Sequence, residues 1–263
     1  MSSHRKALAV APVLALLALL ALLVLLTGAA CSPAPAPATA EPGSGSGSAS
    51  GPVDGVSPLA DPDGTRPGLA PLTTAEDRAA ARERIGRLRT KGRGPRTGYA
   101  REAFGPAWSD AADGVPFARN GCDTRNDLLR RDGHRLRLRA GSDCVVVAMT
   151  LRDPYTGEDI DWRKADAAEV QLDHVIPLSY AWQLGAARWP EAQRRRFAND
   201  PLNLLPVSAR TNTAKRDAGP AAWLPPHKPV RCAYALRFAQ VALAYDLPVT
   251  LPDKSAMLRQ CAA

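Results

Sequence analysis

An acid and a histidine stand side by side near the end of an aliphatic segment, Val170-Gln171-Leu172-Asp173-His174-Val175-Ile176-Pro177-Leu178. An imidazole removes a proton from water near neutral pH with little adjustment of its pKa. Carboxylate and amide oxygens select hard divalent cations such as Mg²⁺ or Mn²⁺ over zinc. Adjacent residues of a regular strand point to opposite faces, so both side chains can serve one site only where the strand ends, and Pro177 predicts such an end.

A second polar segment follows, in the turn Asn199-Asp200-Pro201-Leu202-Asn203 and the apolar run Leu204-Leu205-Pro206-Val207. The run predicts a short strand, and Ser208 is placed to cap a helix that carries Asn212 and Lys215. The expected order is a strand with Asp-His, a loop, an asparagine, a second strand and a helix whose polar residues face back. Apart from His4 near the N-terminus, the histidines are His134, His174 and His227, so few side chains compete for the role of base.

Other segments set the fold class. Thr73-Thr74-Ala75-Glu76 has the spacing of a capping box and predicts a helix through Leu88, with Ala81, Ile85 and Leu88 on its buried face. The alternating residues 135–139 predict a half-buried strand with a cationic outer face, residues 144–151 a second strand, and residues 153–157 a turn. Helices are expected near residues 179–184, 190–199 and 232–245. Short strands among helices without a βαβ rhythm predict an α+β fold.

Four cysteines lie in this part of the chain: Cys122, Cys144, Cys232 and Cys261. An even number in an exported chain favours two disulfides, for which three pairings exist. Pairing between sequence neighbours, 122 with 144 and 232 with 261, is the arrangement we expect, and free buried thiols are the alternative. The chain has no C-x-x-C or H-x-x-H spacing, which disfavours a structural zinc site.

The motifs together resemble a known family. The segments that carry the resemblance are residues 122–126, 153–157, 173–178, 181–182, 197–200, 203–204, 212–217 and 223–226. They resemble the HNH nucleases, also called ββα-metal or His-Me finger nucleases. The branch they resemble most occurs at the C-terminal end of GmrSD restriction enzymes and in secreted bacterial proteins. The Asp-His, Asn, Asn-x-x-Lys-x-Asp series is also similar to the HNH domain of RNA-guided CRISPR nucleases. The resemblance runs from about residue 99 to the C-terminus.

The resemblance implies a role for each polar residue. His174 is the general base that activates water for attack on a phosphodiester, and Asn203 positions the loop that bears this base. The alternatives are a core histidine bonded to a backbone carbonyl and, for Asn203, a purely structural Asx turn into the strand. Asp173 and Asn212 are ligands of a single divalent cation, Mg²⁺ or alternatively Mn²⁺. Asn212 departs from the literal H-N-H spelling. The implied fold is an HNH ββα-metal motif embedded in a small disulfide-stabilised domain.

Basic residues are candidates for contacts to nucleic acid. Lys215 either contacts a phosphate or is a solvated helix residue. Arg125, which matches the family's Cys-Asp-x-Arg-Asn segment, either holds the scissile phosphate or pairs with an acid to fix the fold. Residues 135–139, residues 194–196 and the basic helix near Arg82 are further candidates, although charged runs are more often solvated surface.

The N-terminal third differs from the rest. The apolar run 7–26 follows basic residues, which predicts an export signal or membrane anchor over residues 1–30. Cys31 follows small residues, as in bacterial lipoproteins, but Gly28 stands where such signals usually carry leucine, so lipidation stays open. Residues 31–71 are rich in proline, glycine and serine and predict a disordered tether. The nuclease-like domain is then expected over residues 72–263, secreted or anchored at the cell surface.

The whole chain has 263 residues and a formal charge of +8, which favours polyanionic partners without requiring them. Its apolar content excludes wholesale disorder and a polytopic membrane protein. The sequence predicts an exported metal-dependent endonuclease that hydrolyses nucleic acid, most plausibly DNA, with low sequence selectivity and no obligate protein partner. The alternatives are a tethered nucleic-acid binder without catalysis, and a phosphodiesterase that acts on small nucleotides or another polymer.

Overall fold

A computed structural model describes residues 55–262. The predicted leader, Cys31 and residues 31–54 of the predicted tether lie outside this range. The described helices are α1 (Ala75–Gly86), α2 (Thr124–Asp132), α3 (Leu178–Leu184), α4 (Glu191–Asn199), α5 (Ala209–Lys215), α6 (Arg231–Ala244) and α7 (Leu251–Gln260). The strands are β1 (Gly133–Leu138), β2 (Val146–Arg152), β3 (Asp159–Arg163), β4 (Val170–His174) and β5 (Leu204–Ser208).

The strands form two antiparallel sheets, one of three strands in the order β1-β2-β3 and one of two strands, β4 and β5. In the smaller sheet Val170 pairs with Ser208 and His174 with Leu204, so the register runs without a shift to the residue where β4 ends. The α+β class and the hairpin followed by a helix are therefore confirmed. This hairpin brings the two polar segments of the sequence together.

The strand β1 differs from the prediction. Its leucines, Leu136 and Leu138, each keep 39% of their surface exposed, so the strand is not half-buried as the alternation suggested. The pairing with β2 shifts between His134 and Arg137, and Arg135 adopts φ +50°, which marks a bulge. Because a bulge breaks the period of two, alternation in the sequence no longer sorts side chains into an inner and an outer face.

The main core is helical. The helix α6 is buried along almost its whole length and packs against α1 and α7. Ala81, Ile85 and Leu88 are buried as predicted, but the helix α1 ends at Gly86 and does not reach Leu88. Its N-cap is Thr74, whose hydroxyl accepts a hydrogen bond from Asp77 N, so the cap lies one residue later than the expected Thr73.

Residues 55–71 correct the predicted domain boundary at residue 72, because they pack against the domain as an ordered segment. Asp61 is 1% exposed and its carboxylate accepts a hydrogen bond from Arg237, which lies in α6. Gln240 donates to Pro58 O, and Leu69 belongs to the main core. The composition of a tether misleads here because polar groups of the domain bind the backbone and the carboxylate of this segment.

Two disulfides, Cys122–Cys144 and Cys232–Cys261, join the cysteines in the sequence-local pairing that was expected. The first ties the start of α2 to the start of β2, and the second ties α6 to the end of α7. Within residues 55–262, no helix combines the length and the hydrophobicity needed to span a bilayer.

Candidate active site

The site lies where β4 ends and α5 faces it. Ser208 caps α5 through its hydroxyl, which accepts a hydrogen bond from Thr211 N, as the sequence predicted. Asp173 and His174 are the last two residues of β4, and Asn212 lies in the middle of α5. Asp173, His174 and Asn212 line one pocket of about 240 Å³. The hairpin and the helix thus bring all three residues to the same cavity.

His174 is buried and its ring is held in one orientation. Nε2 lies 2.9 Å from Ala198 O, and because a carbonyl oxygen only accepts, Nε2 carries the hydrogen of this bond. The Trp108 ring stacks on the imidazole at 6.0 Å between centroids with an interplanar angle of 16°. Burial, with a smaller effect of the Arg101 guanidinium, lowers the pKa of His174 to about 3. The neutral ring keeps an unshared electron pair on Nδ1 and can accept a proton there, but the lowered pKa makes it a weaker base than a free imidazole.

Asn203 fixes the chain immediately after His174. Its side chain is fully buried, and Oδ1 accepts a hydrogen bond of 2.9 Å from Ile176 N. Nδ2 donates to Ile176 O and Phe197 O, and the Asn203 carbonyl accepts from Val175 N. Asn203 thus binds the backbone of Val175 and Ile176, the two residues that follow His174. This is the geometry expected of a positioning residue.

The Asp173 carboxylate is bound at both oxygens. Lys215 Nζ donates to Asp173 Oδ1 at 2.8 Å and to the carbonyl oxygen of His174 at 2.7 Å. The Tyr155 hydroxyl donates to Oδ2 at 2.5 Å. Burial raises the pKa of Asp173 and lowers that of Lys215, while the attraction between the two charges opposes both shifts. The ammonium therefore fixes both the side chain of Asp173 and the backbone of His174.

The two candidate ligands, Asp173 and Asn212, offer oxygen atoms, which suit a hard divalent cation. Asn212 Nδ2 donates to Gln171 Oε1 at 2.8 Å, so the amide oxygen is the atom of Asn212 left to face a ligand. A carboxylate has about four lone-pair positions. The Lys215 and Tyr155 bonds use two of those on Asp173. Among residues 55–262 there is no cluster of three or more His, Cys, Asp or Glu side chains arranged to hold a metal.

The structure corrects the two interpretations of Lys215. Both required an exposed amine, but Lys215 is completely buried and its ammonium is paired with Asp173. Helix periodicity alone could not reveal this, because the partner lies on another element. Since a buried amine does not reach a substrate, Lys215 is a support of the site rather than a phosphate contact.

Arg125 does not line the pocket. Its guanidinium donates to Ala167 O and Val170 O and lies 6.0 Å from the centre of the Trp162 ring. These bonds tie α2 to the beginning of β4. The structural interpretation of Arg125 therefore agrees with the contacts, although its partners are carbonyls rather than the acid that was expected.

Arginines of two other predicted phosphate contacts, residues 194–196 and the helix near Arg82, are engaged within the fold. Arg82 donates to Cys261 O, Arg194 to Ala103 O and Trp189 O, and Arg196 to Asp113 O. In their place Arg96, Arg101 and Arg216 line the pocket. The Arg101 guanidinium lies 5.6 Å from the centre of the Trp108 ring. Sequence analysis missed these three arginines because nothing in their local pattern distinguishes them from the many others.

The sequence contained signals for two further residues, one that lines the pocket and one that binds Asp173. Asp217 ends the Asn-x-x-Lys-x-Asp series and lines the pocket. A hydrogen bond from the Ser179 hydroxyl holds the pKa of Asp217 below its usual value. Tyr155 lies in the turn Asp153-Pro154-Tyr155-Thr156-Gly157, which the resemblance had singled out without giving the tyrosine a role.

Comparisons with known proteins identify a family and a relative of this chain. A model of the family described as GmrSD restriction endonucleases, C-terminal domain, matches residues 123–260. An "Uncharacterized secreted protein" of Arthroderma benhamiae is 37% identical over 188 residues, which are 70% of this chain and 85% of that protein. No solved structure matches the chain.

A hairpin that presents an acid and a histidine to a facing helix, within an α+β domain closed by disulfides, defines a nuclease-type domain. The match covers more than half of the chain and includes every residue of the hairpin and of α5. The chain belongs to the family of GmrSD restriction endonuclease C-terminal domains, which confirms the resemblance found in the sequence.

Proposed function

We propose that this protein is a metal-dependent endonuclease that hydrolyses phosphodiester bonds of nucleic acid, with DNA as its main substrate. One observation carries the proposal: His174 lines a pocket with Asp173 and Asn212, and its ring is anchored through Nε2 to a backbone carbonyl. A protein that only binds nucleic acid has no need of a base fixed in this way.

In this mechanism His174 Nδ1 accepts the proton of a water molecule that attacks the phosphorus atom. The Ala198 carbonyl and the Trp108 ring hold the imidazole, so little reorganisation accompanies proton transfer. Asn203 supports the same function by fixing residues 175 and 176. The arginines Arg96, Arg101 and Arg216 at the pocket attract the phosphate through charge.

Asp173 and Asn212 are the residues that would hold a divalent cation, Mg²⁺ or Mn²⁺. When bound, such a cation neutralises negative charge that develops on the phosphoryl group and the leaving oxygen. Lys215 and Tyr155 keep the Asp173 carboxylate in place before any ligand arrives. The support for this assignment is that both residues offer oxygen atoms and line the same pocket.

The same proposal includes export. The apolar run 7–26, the two disulfides and a relative described as secreted all favour a protein that functions outside the cytoplasm. Cys31 is the candidate for lipid attachment. The sequence shows no evident base-reading module, so we expect cleavage with low sequence selectivity.

The test is degradation of plasmid DNA by the full chain, with Mg²⁺ and with a chelator, using wild type and His174→Ala. We expect cleavage only with the cation and a fall in rate of at least about a hundredfold in the variant. The matched control is His134→Ala, because His134 lines a different cavity. Equal circular dichroism spectra would show that folding is unchanged.

Three outcomes would contradict the proposal or the role it gives to His174. DNA binding without cleavage under either condition would favour the tethered binder. Release of phosphate or nucleotide from cyclic nucleotides or teichoic-acid-like polymers, with intact plasmid, would favour a different phosphodiesterase. Unaltered cleavage by His174→Ala would remove this histidine from the mechanism.

A further inference from the structure

A second cationic surface lies outside the pocket, on the segment formed by residues 135–139, which we call the β1 arm. Every residue from Arg135 to Ala140 is exposed. Within residues 55–262, the guanidinium groups of Arg135, Arg137 and Arg139 make no hydrogen bond or ion pair with another side chain or a carbonyl. The arm therefore presents three unneutralised positive charges to solvent.

Several other arginines of the domain behave differently. Arg82, Arg125, Arg194 and Arg196 all donate to backbone carbonyls, and Arg237 pairs with a buried carboxylate. Those side chains act within the fold. The three arginines of the arm make no such bonds, so a contribution to folding does not explain their presence.

The arm also exposes apolar surface. Leu136 and Leu138, each 39% exposed, alternate with the arginines, and within the described range Leu251 is the other exposed large aliphatic residue. Charges and a bulge on an edge strand prevent pairing with other strands, and the arginines serve that purpose too. Edge protection does not account for two leucines, because exposed apolar side chains act against it.

The arm is held in place before any partner binds. It pairs with β2, and Arg139 N donates to Val145 O to close the hairpin. The disulfide Cys122–Cys144 ties the second strand of this hairpin to α2. A preorganised surface loses little conformational entropy on binding. Most of the favourable free energy of three charge contacts therefore contributes to affinity.

We propose that the β1 arm is a second contact surface for nucleic acid, on which the arginines bind backbone phosphates and the leucines contact sugars or bases. This rests on the proposed function, and it makes long polymers the preferred substrates. Arginine binds phosphate with a planar, bidentate geometry, and nucleic acid offers both the anions and the apolar rings. Two half-exposed leucines present too little apolar area for stable insertion into a lipid surface.

The experiment compares two triple variants of the full chain with the same change in charge. One is Arg135→Gln, Arg137→Gln and Arg139→Gln. The control is Lys91→Gln, Arg188→Gln and Arg259→Gln, which removes three charges at exposed positions away from the pocket lining. Binding to a long DNA duplex is measured over a range of salt concentrations, with hydrolysis of plasmid DNA and of bis(para-nitrophenyl) phosphate.

We expect the arm variant to bind duplex DNA at least about tenfold more weakly, with a salt slope lower by about 2–3 units, as loss of three phosphate contacts predicts. Its KM for plasmid DNA should rise while hydrolysis of the small diester stays unchanged. The control variant should lose less than about threefold in affinity, since only the general field of the protein is reduced.

Equal losses in the arm and control variants would overturn the inference, because the effect would then be one of net charge. Binding of anionic lipid vesicles that depends on the arm, with unchanged DNA binding, would assign the surface to a membrane and also overturn it. If wild type cleaves neither DNA nor the small diester, the proposed function fails, and DNA binding by the two variants still decides the role of the arm.

Discussion

At the scale of single residues, the site depends on polar side chains that are buried and bonded at several atoms. Asp173 receives hydrogen bonds at both carboxylate oxygens, and Asn203 is bonded through both its amide oxygen and its nitrogen. Buried polar groups are costly when they are left without a partner. Each of these residues is thus a point where one substitution disturbs both stability and the position of His174.

The buried pair of Lys215 and Asp173 gives a direct prediction. Lys215→Met leaves the Asp173 carboxylate 4% exposed and without a cation. Breaking such a pair from one side costs about 3–5 kcal/mol, so the free energy of unfolding should fall by that amount. Unfolding in guanidinium chloride, followed by circular dichroism, measures it.

The double variant Lys215→Met with Asp173→Asn is the matched control, since it removes both charges and should recover much of the lost stability. Lys164→Met, at an exposed position, should change the free energy of unfolding by less than about 0.5 kcal/mol. If Lys215→Met also lowers the free energy of unfolding by less than about 0.5 kcal/mol, the pair contributes little to stability.

At the scale of elements, the hairpin and the helix that form the site rest on a helical core. The helix α6 lies at the centre of that core, and the disulfide Cys232–Cys261 joins it to the end of α7. The Tyr155 turn between β2 and β3 packs on α6 through Tyr234, with ring centres 5.7 Å apart. The core thus positions one of the groups that bind Asp173.

Removal of this disulfide should destabilise the domain. The cross-link closes a loop with a sequence separation of 29, and the loss of its restriction on the unfolded chain corresponds to about 3–4 kcal/mol. The double variant Cys232→Ala with Cys261→Ala should therefore unfold at a lower denaturant concentration than wild type. Cys31→Ala, which removes a cysteine outside the described residues, is the control, and an equal midpoint for both variants would contradict the assignment.

At the scale of the whole molecule, the folded unit begins before the expected boundary. Asp61 supplies the carboxylate that faces Arg237, and Leu69 and Leu72 fill part of the main core. The segment 55–71 is therefore part of the domain in physical terms, whatever its composition suggests. The candidate site and this segment share α6 as a support, because Tyr155 packs on Tyr234 and Asp61 pairs with Arg237.

Truncation tests the boundary. A chain that begins at residue 55 should unfold like the full chain, whereas one that begins at residue 72 leaves Arg237 buried without its partner and should lose at least about 3 kcal/mol. Asp61→Asn in the full chain is the matched control, because it removes the charge but keeps the segment. If the shorter chain is as stable as the longer one, residues 55–71 are dispensable for folding.

Much of the site could be predicted from the sequence. The turn, the strand ends and the cap at Ser208 depend on neighbouring residues, so local patterns reveal them. The order of Asp173, His174, Asn203 and Asn212 identified the hairpin and helix, and sequence-local pairing identified both disulfides. The bulge in β1 escaped prediction, because the shift in register depends on the partner strand and is not encoded by alternation alone.

Sequence alone determined which residue types and which order of elements are present, since these follow from the backbone preferences of adjacent residues. Only the tertiary structure decided that Lys215 is buried against Asp173, that Tyr155 reaches the same carboxylate, and that Arg96, Arg101 and Arg216 face the pocket. These contacts join residues far apart in the chain or on different elements. Their formation depends on how the elements pack, and a local pattern does not specify that packing.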